Sequence, residues 1–144
     1  MLSVNKNSHS FRYGFTLIEL LVVISIIGVI MSIGVANLIT AQKQARDSSR
    51  RQIINNIQTA FEQYYASIGS YPDENSLSSA FDNNEAPEDP KNSGIYIINY
   101  SNISDSSYCV CATLETGHGN ASGIVGNSCT WTDDGDYYCA QNKQ

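Results

Sequence analysis

The apolar residues of this chain of 144 residues fall into three zones of different period. From Phe15 to Ala36 the chain is apolar almost throughout. Glu19 is the single charge there, and Leu20 to Ala36 is a run of 17 residues without any. With Phe15 to Ile18 the run reaches the roughly 20 residues that cross a bilayer as a helix. In the second zone Ile53, Ile57, Phe61, Tyr64 and Ile68 recur at intervals of four, four, three and four. That is the stripe of an amphipathic helix, and it predicts docking on a sheet. No proline interrupts residues 15–68, so the two zones read as one helix, about 80 Å long at 1.5 Å per residue. Gly69 supplies a left-handed turn at its end, and Pro72 prevents a restart.

The third zone has a shorter period. Ser107 to Glu115 alternates, with Tyr108, Val110, Ala112 and Leu114 on one face and Cys109, Cys111 and Thr113 on the other. Ile95 to Tyr100 is a β-branched and aromatic run. The two predict an antiparallel hairpin through the polar link 101–106. Thr116 to Asn127 holds four glycines and reads as a loop. Short strands around Ser128–Thr132 and Asp136–Ala140 complete a sheet of three or four strands. Asp73 to Gly94 is a polar loop with one helical turn at Ser76–Phe81. The helix stripe and the Tyr108 face bury each other, which gives an α+β head.

Charge divides the chain unevenly. The formal net charge is −6. Met1 to Gly14 carries Lys6 and Arg12 and no acid, so the chain without it stands at −8. Lys6 and Arg12 hold that end in the cytoplasm by the positive-inside bias. Beyond Gly69, Lys91 and Lys143 face eleven acidic residues, a net of −9. Such a head argues against nucleic acid as a partner, because nonspecific binding rests on Lys and Arg clusters. Between the two helical zones, Gln42 to Gln52 holds Lys43, Arg46, Asp47, Arg50 and Arg51. It reads either as a solvated face near the membrane surface or as a surface facing a neighbouring subunit.

The four cysteines, Cys109, Cys111, Cys129 and Cys139, lie in the last 36 residues. Outside the cytoplasm they form disulfides rather than a zinc site. Cys109 and Cys111 point the same way on one strand, and a bond between them would be strained. Two connectivities remain. The nested one, Cys109–Cys139 with Cys111–Cys129, is favoured because it would staple the C-terminal segment to the sheet. Asp133, Asp134 and Asp136 form a dense acidic turn that with backbone carbonyls could ligate calcium; a solvated turn is the favoured reading. His118 sits in the glycine-rich stretch without an evident acidic or cysteine partner. No nucleophile, base and orienting acid assemble from these residues, so the sequence reads as no enzyme, and it calls for no cofactor.

Gly14-Phe-Thr-Leu-Ile-Glu-Leu-Leu-Val-Val-Ile-x-Ile-Ile-Gly28 resembles the processing and membrane segment of type IV pilins and of the pseudopilins of type II secretion and competence systems. Tyr64 and Tyr65 followed by Gly69-Ser-Tyr-Pro72 is similar to the helix end of many pseudopilins and minimal pilins. Two positions depart from the pattern. Tyr13 stands where the family usually has a basic residue, and Ala36 where many members have a proline. The resemblance implies a leader, 1–14, cut by prepilin peptidase after Gly14, and N-methylation of the new N-terminus, Phe15. It implies a transmembrane and assembly helix at 15–36, an amphipathic continuation at 37–68 and a head at 69–144 in a pilin fold. Glu19 would pair with the N-terminal amine of a neighbour. The partners it implies are the bilayer, an inner-membrane assembly platform and further copies in a helical filament. The head would stand outside the cytoplasm. Calcium in the C-terminal loop of some major pseudopilins gives Asp133, Asp134 and Asp136 their interest. The alternative is a minor pilin that binds a surface or DNA at a filament tip, with Trp131, Tyr137 and Tyr138 as candidate contacts.

Overall fold

The structure, a computed structural model, describes residues 14–144. The reading of the leader, including Lys6 and Arg12, lies outside the described residues. The chain divides into two compact units after Leu38. Helix α1, Leu17–Ile68, contributes to both. Strands β1 (Cys109–Thr113), β2 (Gly119–Val125), β3 (Ser128–Gly135) and β4 (Tyr137–Gln141) form an antiparallel sheet in the order β1-β4-β2-β3. The architecture is α+β, a long N-terminal helix packed with a four-stranded antiparallel sheet, as in the pilin fold.

α1 ends as its sequence dictates. Gly69 adopts a φ of 87°, and its N–H donates to the Tyr65 carbonyl at 2.8 Å. Its buried face is turned from the predicted stripe. Ile54, Ile57 and Phe61 are fully buried, Ile53 and Tyr64 are half-buried, and Ile68 is 62% exposed. The buried face continues N-terminally through Arg50 and Asp47, at intervals of three and four. Ile54, Ile57 and Phe61 pack with Tyr71, Tyr108, Val110, Ala112 and Ala140, so the Tyr108 face of β1 lies against the helix as its alternation predicts. Phe61 and Tyr71 meet Tyr108 edge-on, with centroids 5.0 and 4.8 Å away. Glu62 Oε1 accepts from the Tyr71 and Tyr108 hydroxyls, both at 3.2 Å, and from the Lys143 N–H at 3.0 Å. The helix end thus holds both tyrosines and the last residues of the chain.

The strand set differs from the expected one. Ile95–Tyr100 is not a strand; Ser93 and Tyr96 form an isolated bridge and residues 97–100 are irregular. β1 pairs instead with the C-terminal β4. The expected turn at Ser76–Phe81 is a 3-10 helix, Leu77–Ala80. The glycine-rich stretch read as a loop contains β2. Gly119 of this stretch and Gly135 at the end of β3 serve close approach rather than flexibility or a turn alone. A Cβ on Gly119 would meet the Tyr137 carbonyl oxygen at 1.9 Å, and one on Gly135 the Ala121 oxygen at 1.8 Å. β2 and β4 pair at Ala121↔Tyr137, beside these glycines.

The sheet is folded back on itself there. With strands about 4.8 Å apart, β1 and β3 in an open sheet would stand about 14 Å apart. Yet Cys109 of β1 and Cys129 of β3 have Cα atoms 5.4 Å apart and share a disulfide. The β2–β3 ribbon therefore lies over the face of the β1–β4 ribbon that is turned from the helix. Cys109, Cys111, Ala121, Cys129 and Cys139 form the core between them. The second disulfide joins Cys111 to Cys139, which face each other in the β1–β4 register with Cα atoms 4.1 Å apart. The nested pairing is overturned: Cys109 stands opposite Gln141, two residues beyond Cys139, and beneath Cys129.

A buried ion network completes the head, and within Gln42–Gln52 it overturns the solvated reading for Asp47 and Arg50, while Gln42, Lys43, Gln44, Ser48 and Gln52 are exposed. Arg50 is fully buried and Asp47 nearly so. Arg50 grips Asp89 with Nε at 2.6 Å and Nη2 at 3.0 Å, while its Nη1 reaches Asp47 at 2.8 Å and Glu115 at 2.9 Å. Arg46 makes a second two-pronged contact, on Glu115, at 2.6 and 2.8 Å. Asp47 also accepts from the N–H groups of Glu115 and Thr116 and from the Thr116 hydroxyl. Tyr96 lies under Arg50 and Lys91. Burial alone would raise the Asp47 and Asp89 carboxyls, but these hydrogen bonds outweigh it and hold both below the usual range. The bonds from Arg46 chiefly, then from Arg50, bring Glu115 down to about 2 against the opposing effect of burial.

Carboxyls lowered on folding contribute stability that is complete above their unfolded values, near 4, and that is lost as pH falls toward the folded ones. The urea midpoint of the chain is therefore expected to stay level near neutrality and to fall between about pH 5 and about pH 2. The Glu115→Gln chain should start lower and show a shallower acid limb. Acid limbs of equal slope in the two chains would remove Glu115 as a cause.

Candidate processing and assembly site

The N-terminal site is built by the start of α1. Thr16 is the last residue before the helix, and its carbonyl accepts the first helical bond, from Leu20 N–H at 3.3 Å. Its hydroxyl accepts from Glu19 N–H at 3.2 Å. Glu19 reaches back, and its Oε2 accepts from the Thr16 N–H at 2.9 Å and the Thr16 hydroxyl at 2.8 Å. This is a reciprocal capping box, which satisfies N–H groups that a helix start leaves unpaired. The spacing Thr16-x-x-Glu19 announces it in the sequence, although Glu19 attracts notice first as the one charge in an apolar run. Oε1 of Glu19 receives no hydrogen bond from the described residues. Gly14 and Phe15 precede the helix, and Phe15 is 87% exposed.

Beyond Glu19 the helix offers apolar side chains outward, and the most apolar 18-residue window has a mean hydropathy of 2.6 and no buried residue. By length and composition it can cross a membrane. Its hydroxyls are satisfied locally, Ser25 donating to the Val22 carbonyl and Ser32 to that of Val29, both at 2.7 Å. That is what a polar group on a lipid-facing helix requires.

Residues 10–35 match the family model of the prokaryotic N-terminal methylation motif. The chain carries the methylation motif of the pilins. This motif is the signature of type IV pilins and pseudopilins. It supports a pilin-like protein, points to a structural role, implies processing by a prepilin peptidase and suggests a membrane-anchored precursor. No curated protein and no solved structure gives a significant match to the chain.

The remaining candidate residues of the chain are dispersed. The four cysteines form two disulfides and not a metal centre. Asp133 and Asp134 lie within β3 rather than in a turn, and Asp136 is the single residue linking β3 to β4. Asp133 and Asp134 lie opposite the irregularity between Gly119 and Ala121 in the β2–β3 register, both are exposed, and among the described residues they form no group with metal-ligand spacing. Asp134 is engaged with His118, Nδ1 to Oδ1 at 2.9 Å, so the histidine does have an acidic partner; both side chains are exposed. Tyr137 packs on the cysteine core and Tyr138 on the helix side. Trp131 is 47% exposed.

Proposed function

We propose that this chain is a structural subunit of a type IV pilus or of a pilus-like filament of the secretion or competence type. The observation that carries the reading is the methylation motif at residues 10–35, running into a helix whose N-terminal part, from Leu17 to Ile39, leaves its large apolar side chains exposed among the described residues. Prepilin peptidase cuts after Gly14, Phe15 becomes the N-methylated N-terminus, and the helices pack together in the filament. Glu19 compensates the N-terminal amine of a neighbouring subunit. The capping box supports that role, since it occupies Oε2 and leaves Oε1 to accept from another chain. The acidic head stands outside the cytoplasm, where disulfides persist.

Shearing the source cells and weighing the released protein tests this. A dominant chain beginning at N-methylated Phe15, with four cysteine hydrogens lost to two disulfides, is expected. A processed chain confined to the membrane fraction would point to a minor or secretion-type subunit. A chain that keeps Met1 would refute the processing step.

A further inference from the structure

β1 is an edge strand, and its outer edge is incompletely used. Cys111 and Cys139 face each other at the close Cα spacing of a non-hydrogen-bonded antiparallel pair, 4.1 Å. The N–H and C=O of Cys111 therefore turn away from β4, as do those of Cys109 and Thr113. Cys109 N–H donates to the Asn102 carbonyl at 3.1 Å. Across this edge Cys111 has no backbone partner among the described residues.

The segment Ile95–Asn102 lies over that edge as a strap tied at both ends. One tie is the bond from Cys109 to Asn102; the other runs from the Thr113 hydroxyl to the Ile95 carbonyl at 3.1 Å. The ties are out of register. Pairing continued from the Ile103↔Tyr108 bridge would set Ile98 opposite Thr113, but Ile95 is there. The strap is three residues too long to pair with β1, so it bows. Beneath it is a cavity of about 460 Å³, lined by Ile95, Ile97, Asn99, Cys111, Thr113 and Ile124 among others. Among the described residues no charged one lines it, although the sequence beyond Gly69 holds eleven acids against two lysines. Ile95 and Ile97, at its rim, are 68% and 50% exposed.

We propose that this cleft binds an extended, uncharged polypeptide segment, which adds a strand to β1 at Cys111. A strand residue fills roughly 160 Å³, from about 3.4 Å along the chain, 4.8 Å between strands and 10 Å between layers. The cavity holds about three such residues. The free N–H and C=O of Cys111 supply the main-chain recognition of strand addition, and the isoleucines supply the side-chain contacts. A charged guest would lose its hydration with no counter-charge in the lining. The chain's own strap cannot fill the space while both ties hold. The inference concerns the head and stands whether or not the chain assembles.

The test is amide hydrogen exchange at Cys111 by NMR, on the full chain in detergent micelles. The probe is the blocked peptide acetyl-Ile-Thr-Val-Thr-amide at millimolar concentration, with its backbone N-methylated counterpart as control. The blocked peptide is expected to slow exchange at Cys111 by about tenfold, as a site nine-tenths occupied would. The N-methylated peptide should not, and Ile97→Glu, at an exposed position, should abolish the effect. Four results would overturn the proposal. These are no slowing by the blocked peptide, equal slowing by the methylated one, protection already present in the dilute chain, which means the strap closes, and protection that rises with protein concentration alone, which means a second copy occupies the cleft.

Discussion

Arg50→Ala is expected to cost the head about 3–5 kcal/mol, the usual result of removing one member of a buried ion group. Asp89, Asp47 and Glu115 would keep their carboxylates in a site from which water is excluded, without the guanidinium that contacts all three. The loss is a large share of the roughly 5–15 kcal/mol that holds a domain of ordinary stability. The adjacent Arg51 provides the control. It is half-buried, donates to the His118 carbonyl at 2.7 Å and lies over Tyr138 at 5.2 Å. Exposed contacts of this kind contribute at most about 1 kcal/mol. Urea unfolding of both variants, followed by near-ultraviolet dichroism of the core tyrosines, should show a midpoint for Arg50→Ala far below that for Arg51→Ala. Equal midpoints would mean that the network contributes nothing beyond a surface pair.

What could be read from the sequence depended on how far away a residue's partner lies. The N-terminal segment was legible because its meaning is local: the apolar run is its own evidence, although the capping box of Thr16 and Glu19, three residues apart, went unread beside it. The end of α1 at Gly69 was legible for the same reason. The helix stripe was right at Ile57 and Phe61 and missed Ile54, because Ile53 and Ile54 are equally apolar. The choice between them is made by Arg50 and Asp47, whose partners Asp89, Glu115 and Thr116 lie 39 to 69 residues away. A charged residue in the middle of a polar run carries no sign that it will be buried.

The β-sheet shows the same limit. Ile95–Tyr100 has a strand's composition, but composition does not choose a partner, and β4 holds the pairing edge of β1 through five registered pairs and the Cys111–Cys139 bond. The disulfide connectivity followed from that register and from the folding of one ribbon over the other, neither of which a spacing of cysteines conveys. Gly119 looked like a loop residue because glycine marks turns and close backbone approach alike. Asp133 and Asp134 looked like a turn because adjacent acids suggest one, whereas the hairpin carries them along β3, opposite an irregularity in its pairing with β2.

Glu19→Ala is expected to leave precursor folding and cleavage intact and to reduce filament yield severely. Two effects of the substitution must be separated. Loss of the capping box should cost about 1 kcal/mol of helix-start stability. Loss of the charge removes the group proposed to meet a neighbour's N-terminal amine, leaving that amine uncompensated in an apolar bundle. A charge at the centre of a membrane helix costs on the order of 2.5–3.5 kcal/mol by insertion scales, and the same deficit recurs at every subunit added. The second effect should dominate. Glu19→Gln distinguishes them, because an amide oxygen can still accept from Thr16 while the charge is gone. If the charge governs assembly, sheared fractions from the Gln and Ala chains should be depleted alike, with processed subunit accumulating in the membrane. Filaments restored by Gln would assign Glu19 to capping alone, and wild-type yield from Ala would refute any assembly role.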